Sequence, residues 1–147
     1  MKKTLLTLLL VLGLATNVLA NPVNTTILAE TRLDDDPQSV TSSAMNIQDY
    51  KKVAFFVDYD ETEDSTVGAA FTIETSYDGT NWLATSFFDL AGGPATFVTS
   101  EDFTSDVWYV CWLDPNLNVP QVRVIVTSTN SDTNDLIDVT VYLAGIK

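Results

Sequence analysis

From Ala44 onward the chain is a series of short apolar runs, separated by turn residues roughly every 8–12 positions, the rhythm of an all-β sandwich or barrel. Val53, Phe55, Val57 and Tyr59 alternate with Ala54, Phe56 and Asp58. Both sets are apolar over part of the run, which predicts a central strand buried on both faces over part of its length. Phe71, Ile73 and Thr75 alternate with Thr72, Glu74 and Ser76, the pattern of a strand with one wet face. Asp78-Gly79 is a strong hairpin signal, and residues 82–88 supply the returning strand. Ala91-Gly92-Gly93-Pro94 marks another turn, with strands expected at 95–99 and Val107–Leu113. Residues 114–120 form a loop whose prolines stop the ladder. Beyond it, Val122, Val124 and Val126 share one face opposite Arg123 and Ile125. In the last expected strand, residues 136–146, Ile137, Val139, Val141 and Leu143 share a face. No apolar segment sustains the 3.6-residue period with helix caps. The pattern predicts an all-β fold, an antiparallel two-sheet β-sandwich of jelly-roll type built from residues 44–147.

The texture ahead of that domain is different. Residues 21–43 are rich in Asn, Thr, Ser and Asp and predict an N-terminal arm or linker. Within it Thr26-Ile27-Leu28-Ala29 is a short β-prone segment. It can be donated to the sheet edge of a neighbouring molecule or paired within its own chain. Residues 1–20 carry Lys2 and Lys3, an apolar stretch from Leu5 to Leu14, and a small residue, Ala20, before Asn21-Pro22. This is the pattern of a signal peptide cut after Ala20. The stretch is short for a membrane span, and no cysteine follows it to carry a lipid. The expected mature chain is one secreted, extracellular domain with no membrane span.

Charge narrows the partners. Residues 21–147 hold five basic residues, Arg32, Lys51, Lys52, Arg123 and Lys147, against twenty acidic ones, a formal charge of −15. Such a surface repels nucleic acid and anionic membrane; it favours solubility and tolerates divalent cations. The chain has no histidine, which removes the commonest general base and most zinc sites. Its single cysteine, Cys111, permits no intramolecular disulfide and sits in an apolar run, as a buried inert thiol does.

Asp58-Tyr59-Asp60-Glu61-Thr62-Glu63-Asp64 concentrates carboxylates at a strand end. Asp58 and Asp60 share a strand face about 7 Å apart, close enough for one calcium ion, which takes hard oxygen ligands from loops. Asp58, Asp60, Glu61, Glu63 and Asp64 are therefore candidate calcium ligands. The EF-hand pattern fails, because its sixth position is Glu63 and its twelfth Ala69. The oxygen-rich stretch at residues 130–135 fails the same test, and both also suit solvated turns. No carboxylate pair stands out as the acid and base of a glycoside hydrolase, and the sequence points to a protein that is not an enzyme.

Trp82, Trp108 and Trp112 are candidate glycan-stacking residues. Trp108 and Trp112 lie on one strand face about 13 Å apart, a spacing that suits an extended glycan and equally a sandwich core. Ser76-Tyr77-Asp78-Gly79-Thr80-Asn81-Trp82 resembles the S-x-D-G-x-x-W hairpin of discoidin-type domains in the galactose-binding-like superfamily. Residues 119–124, with Arg123, resemble that family's arginine-bearing strand, and residues 139–145 its closing strand. The resemblance covers the C-terminal half. It implies a β-sandwich more than a sugar site, since the family's flanking cysteine pair and its N-terminal ligand-loop pattern are missing. The function expected from these features is a non-catalytic, self-associating structural subunit of a surface layer, filament or appendage. A carbohydrate-binding or adhesion module is the alternative.

Overall fold

The computed structural model describes residues 22–33, 38–61, 68–89, 96–129 and 137–146. The expected leader, Glu63, Asp64, the turn at 91–94 and the loop at 130–135 lie outside the described residues. The described residues form twelve strands: β1 (Pro22–Leu33), β2 (Ser39–Thr41), β3 (Met45–Asn46), β4 (Lys52–Glu61), β5 (Ala69–Ser76), β6 (Leu83–Thr85), β7 (Phe87–Asp89), β8 (Thr96–Val98), β9 (Glu101–Phe103), β10 (Val107–Leu113), β11 (Gln121–Ser128) and β12 (Ile137–Ile146). Sheet A runs β1-β12-β4-β10-β7-β8 and sheet B runs β2-β11-β5-β6, with β3 also paired to β11 and β9 to β5. Every pairing is antiparallel. The fold is an all-β two-sheet sandwich.

Strand alternation explains the core. Odd-numbered residues of β4, β10 and β12 point inward: Phe55, Val57 and Tyr59; Tyr109 and Cys111; and Ile137, Val139, Val141 and Leu143 are all buried. Sheet B answers with Phe71 and Ile73 from β5 and with Val122, Val124 and Val126 from β11. Phe71 stands at the centre of the seam. Its ring lies 6.4 Å from Phe55, 5.7 Å from Phe87, 6.3 Å from Phe103 and 6.3 Å from Tyr109.

Two expectations are corrected. First, the described residues of the expected arm, 22–33 and 38–43, belong to the sandwich. β1 pairs with β12 from Pro22↔Ile146 to Leu33↔Ile137, so Thr26, Ile27, Leu28 and Ala29 lie in an edge strand of their own chain. Register shifts flank Leu28, and they account for Ile27 and Leu28 both being buried though consecutive. Further along, Ser42 is tied to β11: its N–H donates to the Val124 carbonyl at 2.9 Å, and its hydroxyl accepts from the Val124 N–H at 3.0 Å. Second, the returning strand after the hairpin is two strands. It breaks at Ser86, so that β6 stays in sheet B and β7 joins sheet A. The expectation for β4 holds: it is central, between β10 and β12, and buried on both faces over Val53, Ala54 and Phe55, while Phe56 and Asp58 further along its outer face are half-buried.

Candidate functional site

The hairpin at the end of β5 is a self-satisfied knot. Gly79 adopts φ 72°, which a side chain would strain, and a Cβ there would stand 2.9 Å from the Gln121 amide oxygen. Asp78 Oδ1 accepts the N–H groups of Thr80 at 2.8 Å and Asn81 at 2.7 Å, while Asn81 Nδ2 donates to Oδ2 at 2.6 Å. These donors hold the Asp78 carboxylate well below the usual range. The Ser76 hydroxyl accepts from the Gly79 N–H at 2.9 Å. Trp82 closes the loop by donating its indole N–H to the Gly79 carbonyl at 3.2 Å. Its ring lies beneath the Arg123 guanidinium, 4.3 Å from ring centroid to Cζ, and Arg123 Nε donates to Glu74 at 2.7 Å. The motif is therefore spent on the turn and on tying β11 to β5.

The outer face of sheet A is different. The register aligns Phe97, Phe88, Trp112, Ala54 and Ala144 across β8, β7, β10, β4 and β12. The next row holds Val110, Phe56 and Tyr142, and the one after it Trp108, Asp58 and Thr140. Trp108 is 65% exposed and Phe97 54% exposed. The Trp108 ring lies parallel to that of Tyr142, within 7° and with centroids 6.3 Å apart; Phe88 and Phe97 pack at 3.9 Å. Phe56, Phe88, Val110, Trp112 and Tyr142 between them are half-buried, so the aromatic side chains of this face are grouped at the surface.

Charge brackets the aromatic band. At one end of β4 stand Lys51 and Lys52, both exposed, beside a shallow cleft lined by Ile47, Tyr50, Leu113, Asp114, Leu117 and Val119. At the other end Asp60 faces Asp138 across the β4–β12 ladder. Arg32 grips Asp138 with a fork, Nε to Oδ1 at 3.0 Å and the terminal nitrogen to Oδ2 at 2.9 Å, and so pulls that carboxyl below its ordinary range. Asp58 goes the other way: partial burial and then the neighbouring Asp60 charge push its pKa up.

The structure keeps Trp108 and Trp112 on one face but out of the core, and it puts Trp82 against Arg123 of sheet B, so the three tryptophans form no single platform. Asp58 and Asp60 share a strand face. The side chain of Glu61, with Glu63 and Asp64, lies outside what is described; among the described residues no three His, Cys, Asp or Glu side chains are grouped to hold a metal. Sequence reasoning missed Phe56, Phe88, Phe97, Val110 and Tyr142 as surface residues. The signal was present in the apolar even positions of β4 and β10.

No family model and no curated protein matches the chain. Among solved structures it is similar to the SPBc2 prophage-derived protein YomS, with a TM-score of 0.53 and 12% identity over 85% of this chain and 94% of that one. A chain from the disulfide-linked pili of Bacillus endospore appendages matches with a TM-score of 0.40 and 9% identity, over 86% of this chain and 88% of that one. Neither is a discoidin-type domain. At such identities the likeness to YomS speaks to the fold alone.

Proposed function

We propose that this chain is a non-catalytic structural subunit of an extracellular assembly. The observation that carries the reading is the aromatic outer face of sheet A, bracketed by lysines and aspartates. A monomer gains nothing by leaving Trp108 and Phe97 exposed beside Trp112 and Phe88, whereas a subunit covers them. Its edges are poorly suited to strand pairing, because β1 is bulged and β8 is three residues long, which favours association through a face. The absence of histidine and the burial of Cys111, whose thiol pKa is pushed up by desolvation, fit a protein without nucleophilic chemistry. The strand order, with most links passing between sheets, also fits the jelly-roll path expected of the sequence. A carbohydrate-binding module is the second reading, favoured by the parallel Trp108 and Tyr142 rings.

Size-exclusion chromatography and electron microscopy of the purified protein test the proposal. Concentration-dependent oligomers or ordered polymers are expected. A strict monomer that binds a glycan array through Trp108 refutes it in favour of the second reading.

A further inference from the structure

The outer face of sheet A is self-complementary along β4. Strand alternation puts Lys52, Ala54, Phe56, Asp58 and Asp60 on that face: a cation, an apolar middle, then carboxylates. Among the described residues, Lys51 and Lys52 are the cations that make no ion pair, since Arg32 and Arg123 are engaged by Asp138 and Glu74. Asp58 and Asp60 make no ion pair among the described residues either, and they repel each other.

We infer that a second copy of this chain covers this face antiparallel to the first, about a two-fold axis that crosses the strands over Phe56. Lys52 of each copy then meets Asp58 and Asp60 of the other. This deepens the structural-subunit reading and rests on it. The same rotation carries the row of Trp108 and Asp58 onto the row of Trp112 and Ala54, so each exposed Trp108 indole packs against Trp112 of the other copy. The parallel alternative sets aspartates against aspartates and is opposed by like-charge repulsion. From β8 to β12 the face is about 19 Å wide, and from Lys52 to Asp60 about 26 Å long. That is roughly 500 Å² a copy and about 1,000 Å² in all, the lower limit for a specific interface and the size of a reversible dimer. The contact is isologous and closes on itself.

Analytical ultracentrifugation from micromolar to millimolar concentration is expected to show a monomer–dimer equilibrium at the base of any larger assembly. Lys52→Glu is expected to weaken dimerisation about tenfold or more, and Asp58→Lys with Asp60→Lys to do the same. The three substitutions together are expected to restore it, because reversed charges again face their opposites. Phe56→Cys treated with a short bismaleimide is expected to give linked dimers across the axis, with the buried Cys111 unreactive. A melting transition for each variant confirms that it is folded. Dimers indifferent to the charge reversals, or not restored by the triple variant, overturn this arrangement and leave the subunit reading standing. Monomers at every concentration overturn both. A monomer whose tryptophan fluorescence titrates with cellohexaose or chitohexaose assigns the face to a glycan and overturns the dimer.

Discussion

Phe71→Ala is the sharpest test of how the two sheets meet. Phe71 is fully buried, and its ring contacts aromatic side chains from four other strands, Phe55 of β4, Phe87 of β7, Phe103 of β9 and Tyr109 of β10. Truncation removes the ring's transfer free energy and leaves a cavity that rigid neighbours cannot fill, a combination that costs about 3–5 kcal/mol. The lost edge-to-face contacts, about 0.5–1.5 kcal/mol each beyond area burial, favour the upper end. Against a total stability of about 5–15 kcal/mol, that is a large share. At about 3–5 °C per kcal/mol for a domain of this size, the melting temperature falls by roughly 10–25 °C. Urea unfolding followed by circular dichroism and tryptophan fluorescence measures it. Phe97→Ala is the control: Phe97 is a surface aromatic of the same type, and its loss from the free monomer is expected to cost under about 1 kcal/mol. A Phe71→Ala cost below about 1.5 kcal/mol, or one equal to that of Phe97→Ala, refutes the packing described.

Gly79→Ala forces a side chain into the left-handed region and toward Gln121, and is expected to cost about 1–2 kcal/mol in urea unfolding; a neutral result removes the hairpin geometry. Gly145→Val collides with the Tyr50 ring, so it is expected to expel that ring and cost about 1–3 kcal/mol; retained stability with unchanged tyrosine fluorescence contradicts the contact. Stability is expected to peak in mildly acid solution. Asp58 and Glu101 have raised pKa values, so the folded state holds their protons more tightly, and their cost is relieved as pH falls from neutrality. Asp78 and Asp138 have lowered values, so the stability they contribute is lost as pH drops below about 4. Burial first, then nearby charges, raises Tyr109 and Cys111, so stability falls again once the unfolded chain can ionise them above about pH 9. Thermal melts from pH 3 to pH 11 check all three limbs, and a monotonic rise with pH from 4 to 8 refutes the first.

The inward faces were legible because period-2 alternation needs only the backbone. Val122, Val124 and Val126, and Ile137 to Leu143, stand where alternation put them. Asp78-Gly79 was legible for the same local reason, since a turn type and its residues are chemically coupled. What depended on distant partners was not. The arm's polar composition hid a strand that exists because β12 offers it a ladder, and the break at Ser86 depends on which sheet has an open edge beside β10. The rest of the outer face of sheet A, beyond the buried Ala54, was not legible for a deeper reason. Alternation assigns residues to two sides, and apolar groups on both sides mean burial on both only if a further layer covers the second. A sequence cannot count layers. Here the sandwich has two, so Phe56, Val110, Trp112 and Tyr142 stay half-exposed within the monomer, and only the small Ala54 among them is buried. Apolarity that the fold of one chain does not use is what association between chains can use, and the lysines and aspartates at either end of β4 give that association a direction.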